Sequence, residues 1–148
     1  MLTMSEMPWS VDTNILIYAT AMGAPASKQG VAKDLLAQLF SSPQACVAGQ
    51  VLSEYLSVVL RKKTMTHAVA LEAIGTWSRA VRVLGASAQA YDQAWQLTAK
   101  HKYQMWDALI ISICAEHGVK TLYSEDAGSL KRPLGVHVVN PFAKLEID

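Results

Sequence analysis

The sequence predicts an α/β protein built around a mainly parallel sheet. Short apolar runs alternate along the chain with longer segments of helical periodicity, which is typical of βαβ units. With 148 residues, 51% of them hydrophobic and 17% charged, the chain has the composition of an ordinary globular protein. Because no internal repeat or low-complexity linker interrupts it, we expect one domain over residues 1–148.

The first half of the chain predicts two strands and two helices. A short strand over 9–11 ends at Asp12, and apolar side chains three or four residues apart predict an amphipathic helix over 27–40. The apolar run 45–48 predicts the second strand. Directly after it, a helix is expected to begin at Gly49 and to continue to about Lys62.

The second half predicts three helices and three strands. A helix over 67–80 is followed by a helix that Ser87 caps and that reaches about His101. A strongly apolar helix then begins at Trp106 and is stopped by Gly118. The predicted strands are the apolar runs 81–84, 121–123 and 136–139.

Composition excludes several classes of protein and leaves others open. The formal net charge of +1 does not by itself predict a polyanionic partner. Cys46 and Cys114 both lie in apolar runs and lack the spacing of a zinc site, so we expect core residues in a reducing compartment. The first residues do not resemble a signal peptide and the longest apolar run is too short for a bilayer, so we expect a cytoplasmic protein with no membrane partner.

Two aspartates follow predicted strands. Asp12 comes directly after the first strand, and Asp126 comes shortly after the strand at 121–123. Ligands of open α/β sheets bind outside the carboxyl ends of the strands, so both residues are at the right level for a site. Turn formation or helix capping is the alternative explanation for each of them.

Two further carboxylates lie on predicted helices. On a helical wheel, Asp107 shares a face with Ile111 and Cys114, which places a carboxylate on the buried side of its helix. An N-cap is the alternative for Asp107. Glu54 lies at the edge of an apolar arc, where it either reaches into a cleft or pairs with a surface cation such as Arg61.

Several carboxylates in one cleft would raise each other's pKa values unless a cation neutralised them. Oxygen ligands without cysteine or histidine select Mg²⁺ or Mn²⁺ rather than zinc. Because such an ion can activate water and polarise a phosphate, phosphodiester hydrolysis is the natural use of this site.

In order along the chain, several motifs resemble those of PIN-domain ribonucleases, specifically the VapC-type toxins of bacterial and archaeal toxin–antitoxin pairs. The matching pieces cover nearly the whole chain. They are Val11-Asp12-Thr13-Asn14, Leu52-Ser53-Glu54-Tyr55, Met105-Trp106-Asp107-Ala108-Leu109-Ile110, Leu122-Tyr123-Ser124-Glu125-Asp126 and the ending 135–142.

This resemblance implies a PIN-like fold, with a parallel sheet sandwiched by helices, and a Mg²⁺- or Mn²⁺-dependent endoribonuclease. The implied metal ligands and catalytic residues are Asp12, Glu54, Asp107 and Asp126. It also implies an RNA substrate, with tRNA as a candidate, a cognate antitoxin and a homodimer.

Other residues of the resembling motifs are expected to support the acidic site. Asn14 and Ser124 match polar positions with that role in the family. Glu125 is an alternative to Asp126 as the closer ligand. Ala127 stands where family members often carry a bulky apolar residue, which bears on the packing of the loop.

Three basic groups could follow an RNA backbone or could simply be solvated surface: 61–63, 100–102 and 131–132. Two other functions remain open, a PIN-like binding scaffold without catalysis and a metal-dependent hydrolase of small phosphates. The presence of all four acidic residues argues against the scaffold, and no Gly-rich phosphate loop supports P-loop nucleotide binding.

Overall fold

The computed structural model of the protein describes residues 7–126 and 128–145. Every strand pairing within this part of the chain is parallel. The strands are β1 (Trp9–Val11), β2 (Cys46–Ala48), β3 (Arg82–Leu84), β4 (Thr121–Tyr123) and β5 (His137–Val139). The predicted parallel sheet is confirmed, and each predicted strand lies within one residue of its observed bounds.

The order of the strands creates a reversal in the middle of the sheet. One group has the order β1-β4-β5 and the other pairs β2 with β3, and a parallel bridge between Trp9 and Ala45 joins them. The spatial order is therefore β3-β2-β1-β4-β5. The chain builds one side of β1 first and returns to its other side with β4, so the strand order switches between β1 and β4. Ligand sites of open α/β sheets form outside the carboxyl ends of the strands at such a switch.

In the described part of the chain, six α-helices connect and cover these strands. They are α1 (Thr13–Thr20), α2 (Ala26–Ser41), α3 (Gly49–Arg61), α4 (His67–Ala80), α5 (Ala88–His101) and α6 (Met105–Glu116). Helix α1 packs on α2 and α3, α3 packs on α4, and α5 lies along α6. The predicted α/β fold with helices packed on a parallel sheet is confirmed.

Five of these helices were predicted, and their bounds agree within two residues. As expected, Ser87 caps α5 by accepting a hydrogen bond from the Ala90 amide. The alternative that Asp107 is an N-cap is wrong, because Gln104 occupies the cap of α6 and Asp107 lies within its first turn. Within residues 7–126 and 128–145, the short 3-10 helices Pro133–Gly135 and Ala143–Leu145 were not predicted.

Helix α1 was also not predicted. The run from Ile15 to Tyr18 is apolar at every position, so it has no helical periodicity to detect. In the structure Ile15 and Leu16 are buried in the core, and Asp12 caps the helix. Burial on several sides thus hides the pattern that identifies an amphipathic helix.

The core lies between the sheet and its helices. Strand β2 is buried throughout, and α6 buries every side chain from Ala108 to Cys114. Cys46 and Cys114 are both free and buried, which confirms their prediction as core residues. Among the helices of the described residues, none is long and apolar enough to cross a membrane.

Candidate functional site

Asp12 lies at the carboxyl end of β1 and is the N-cap of α1. Asp12 is buried, with only 5% of the residue exposed to solvent. The carboxylate accepts a hydrogen bond from the Thr13 amide at 2.7 Å and another from the Ser124 hydroxyl at 2.7 Å. Burial raises the pKa of Asp12 most, and the charge of Glu54 raises it further. The hydrogen bonds from Ser124 and Thr13 lower the pKa, but it stays above its ordinary value.

Glu54 is connected to Asp12 through Thr13. The Thr13 hydroxyl donates a hydrogen bond to Oε2 of Glu54 at 2.9 Å, and Gln50 donates to Oε1 at 3.0 Å. Thr13 therefore contacts both carboxylates, one with its amide and one with its hydroxyl. The hydrogen bonds to Glu54 come from neutral donors, which favours the prediction of a side chain in a cleft over pairing with Arg61.

Asp107 completes the group from α6. Its residue is partly buried, and its pKa is raised to about 6, first by burial and then by the charges of Asp12, Glu54 and Asp126. These like charges act on Asp107 because the three other carboxylates lie near it. The structure thus brings the four predicted carboxylates to the switch between β1 and β4.

The residues after β4 form a segment that we call the acidic loop, residues 124–126 and 128–130. Glu125 turns away from the carboxylate group, since its Oε2 lies 2.6 Å from Nζ of Lys28 and its Oε1 accepts a hydrogen bond from Tyr18 at 2.7 Å. Burial raises the pKa of Glu125, but Lys28 and Tyr18 outweigh it and hold the pKa below its ordinary value. Asp126, in contrast, is exposed and acts on Asp107.

The two polar residues predicted to support the site both contact this region. The Ser124 hydroxyl orients the Asp12 carboxylate directly. Asn14 accepts a hydrogen bond from the Glu125 amide at 3.4 Å, which links α1 to the acidic loop.

Sequence reasoning missed four residues around the site, which are Thr13, Tyr18, Lys28 and Gln50. A signal exists for Thr13, which directly follows the capping Asp12, and for Gln50, which lies one helical turn before Glu54. Tyr18 and Lys28 lie 107 and 97 residues from Glu125, so no local pattern could have found them.

The chemistry of this group fits a divalent cation bound through few protein ligands. All its acidic donors are oxygens. Burial raises the pKa of Asp107 first and the three neighbouring carboxylates raise it further, and a bound cation would offset the charge of those carboxylates. Within residues 7–126 and 128–145, however, no three Asp, Glu, His or Cys side chains are close enough to form a ready-made cage. Mg²⁺ usually binds through one or two carboxylates and keeps several waters, so the group suits that ion.

Positive charge lies beside the acidic loop. A cleft of about 210 Å³ is lined by Asp126, Ser129, Lys131 and Asn140 among other residues. The three basic groups predicted from the sequence are exposed, and of these only residues 131–132 contribute a lining residue to this cleft. An anion could therefore approach the acidic group past Lys131.

A family model for the PIN domain matches residues 10–133, which include all four carboxylates. The chain belongs to the PIN domain family. The predicted resemblance to this family is thereby confirmed.

Solved structures of PIN-domain proteins share the fold. The chain is 28% identical to VapC20 of Mycobacterium tuberculosis, a toxin described as cleaving the sarcin–ricin loop, with a TM-score of 0.65 over 80% of this chain and 89% of that one. The similarity to a VapC toxin agrees with the resemblance predicted from the motifs.

Two more distant structures show the fold alone. A toxin–antitoxin complex from Klebsiella pneumoniae is 20% identical, with a TM-score of 0.61 over 89% of this chain and 96% of that one. VapBC2 of Rickettsia felis, bound to a fragment of its promoter DNA, is 19% identical, with a TM-score of 0.66 over 90% and 98%. No curated protein sequence matches the chain significantly.

Proposed function

We propose that this protein is a Mg²⁺- or Mn²⁺-dependent endoribonuclease that acts as the toxin of a toxin–antitoxin pair. The observation that supports this most strongly is the grouping of four carboxylates, from β1, α3, α6 and the acidic loop, at the strand switch of a PIN domain. The mutual repulsion of these groups makes a cation the natural partner of the site.

In this proposal Asp12, Glu54, Asp107 and Asp126 would hold the metal ion, either directly or through waters that Mg²⁺ retains. When bound, Mg²⁺ supplies a Lewis acid that polarises the phosphate and activates a water for attack on phosphorus. Thr13 and Ser124 keep the Asp12 carboxylate in one orientation through hydrogen bonds of 2.7 Å. With its orientation set in advance, the Asp12 carboxylate needs little rearrangement when the substrate arrives.

The surroundings of the site are compatible with RNA as the substrate. A group of four carboxylates repels a phosphodiester, and Lys131 in the adjoining cleft offsets part of that repulsion. The proposal therefore predicts that RNA binding weakens as salt is added.

We extend the proposal to partners by analogy with the similar proteins. VapC20 is itself described as a toxin, and a more distant relative of the same fold was solved as a toxin–antitoxin complex. We propose a cognate antitoxin that inhibits this chain and a homodimer of the chain. Light scattering of the purified protein, with and without the product of an adjacent gene, tests both assemblies.

The decisive experiment is an RNA cleavage assay with the antitoxin-free protein. The substrates are an unstructured oligonucleotide, total tRNA and an RNA carrying the sarcin–ricin loop, each with Mg²⁺ and with EDTA. Asp107→Asn keeps the size of the side chain but removes its charge, and Asp92→Asn on the exposed face of α5 is the matched control. We expect cleavage by the wild type and the control in Mg²⁺ only.

Other outcomes would redirect the assignment. Cleavage that survives EDTA or Asp107→Asn would overturn the metal–carboxylate mechanism. Absence of cleavage with a folded protein would favour a PIN-like binding scaffold without catalysis. Turnover of small phosphate esters but not RNA would favour a metal-dependent phosphohydrolase.

A further inference from the structure

The acidic loop is anchored to α1 and α2 through Glu125. Lys28 and Tyr18 both bind its carboxylate, and the side chains of Lys28 and Glu125 are each only 24% exposed. Nζ of Lys28 also lies 5.4 Å from the ring centre of Tyr18 and 5.8 Å from that of Phe142. Because two ring faces and a partner carboxylate hold this ammonium group, the ion pair has little freedom to shift.

A second anchor holds the other end of the loop. Tyr103 is buried in the segment just before α6, and its hydroxyl accepts a hydrogen bond from the Leu130 amide at 3.1 Å. The backbone of Gly128 has a φ of +90° and lies so close to the Tyr103 ring that a Cβ at this position would overlap it. Only glycine fits there, for both conformational and steric reasons.

Asp126 lies between the two anchors. It directly follows Glu125 and precedes Gly128 by two residues, while its own side chain is exposed. An exposed carboxylate on a loop has no packing of its own to hold it in place. Its position is therefore determined by the backbone on either side.

We infer that Tyr18, Lys28 and Tyr103 are positioning residues, which hold the acidic loop at both ends so that Asp126 faces Asp107. They touch neither substrate nor ion and act only through Asp126. The inference rests on the proposed metal site, and it adds that the fourth carboxylate works only while both anchors are intact.

The test compares three variants of the full chain that each lose one hydroxyl and no charge. Tyr18→Phe removes the hydrogen bond of the first anchor, Tyr103→Phe removes that of the second, and Tyr91→Phe on the exposed face of α5 is the control. Mn²⁺ affinity is measured by titration calorimetry, and thermal unfolding monitored by circular dichroism confirms that each variant is folded. We expect each anchor variant to bind Mn²⁺ about threefold to tenfold more weakly, because one hydrogen bond is lost, and the control to match the wild type.

A double-mutant cycle separates positioning from a general effect on stability. In an Asp126→Asn background, Tyr103→Phe should weaken Mn²⁺ binding no further, because the side chain through which it acts is already gone. A general loss of stability would instead lower the affinity by the same factor in both backgrounds.

Each remaining result has a definite meaning. Anchor variants that bind Mn²⁺ as tightly as the control, or that weaken it equally with Asp126→Asn present, would overturn the inference and leave the proposed function standing. Failure of the wild type to bind Mn²⁺ would overturn the proposed metal site, and the inference with it.

Discussion

Asp107→Asn should stabilise the metal-free protein. The pKa of Asp107 is raised from 3.8 to about 6, first by burial and then by the charges of Asp12, Glu54 and Asp126. A raised pKa in the folded state means that folding disfavours the ionised form of the carboxyl. The asparagine keeps the shape of the side chain and removes the charge that is disfavoured.

The size of the effect follows from the two pKa values. The difference between 3.8 and about 6 corresponds to about 3 kcal/mol, which we halve to about 1.5 kcal/mol because Asp107 is partly exposed to solvent. Below about pH 4 the carboxyl is protonated in both the folded and the unfolded state and costs nothing. The cost grows as the pH rises through the interval from about 4 to about 6, and it is complete above that interval.

Urea unfolding in EDTA measures this cost. Near pH 7.5 the free energy of unfolding of Asp107→Asn should exceed that of the wild type by about 1.5 kcal/mol, and the difference should shrink toward zero as the pH falls to about 4. In saturating Mg²⁺ the wild type should be the more stable of the two proteins. A ligand at a concentration of 100 Kd stabilises the folded protein that binds it by about 2.7 kcal/mol. Asp92→Asn is the control, and its free energy of unfolding should match that of the wild type both in EDTA and in Mg²⁺.

Two results would refute this reasoning. One is an Asp107→Asn protein no more stable than the wild type in EDTA near pH 7.5. The other is a stability difference that does not change with pH, because a charge-independent packing effect would produce it.

Three further changes test other contacts of the site. Asp12→Asn should lower RNA cleavage by at least about 100-fold while the α1 cap survives, since an amide oxygen can still accept from the Thr13 amide. Thr13→Val should remove the hydroxyl that binds Glu54 and lower cleavage by about threefold to tenfold in the same assay. Gly128→Ala should lower the free energy of unfolding, as measured in urea, by about 2 kcal/mol or more. The backbone conformation at this position is strained for alanine, and the added Cβ would overlap the Tyr103 ring.

Matched controls exist for two of these changes. Thr76→Val replaces an exposed threonine of α4 and should leave cleavage unchanged. Gly30→Ala places its Cβ in open space on α2 and should stabilise the protein by up to about 1 kcal/mol. A Gly128→Ala protein as stable as the wild type would contradict the described packing on Tyr103, and an Asp12→Asn protein with near wild-type cleavage would contradict the assignment of Asp12.

Features with local periodicity could be predicted from the sequence. Asp107 stood out because it is a carboxylate on the same helical face as Ile111 and Cys114, and Asp12 because it ends a short strand. The bounds of α4 agree with the prediction at both ends, because its cap and periodicity coincide. Helix α1 lacks such a pattern and was missed for that reason.

Features that depend on long-range contacts could not be predicted. Glu125 and Asp126 are neighbours in the sequence with the same chemistry, and the sequence left the choice between them open. In the structure Lys28, 97 residues away in the chain, pairs with Glu125, whereas the charge of Asp126 acts on Asp107. Glu54 was ambiguous in the same way, since its link to Thr13 spans 41 residues.

The strand order has a consequence for the synthesis of this protein. Strand β1 is made first, but its neighbour β4 begins only at Thr121, and the bond from Ser124 to Asp12 spans 112 residues. A chain cut short before that point has neither its central strand pair nor its fourth carboxylate. For the proposed toxin, incomplete chains on the ribosome are therefore inactive, and the cell meets an active nuclease only when the last fifth of the protein has been made and folded.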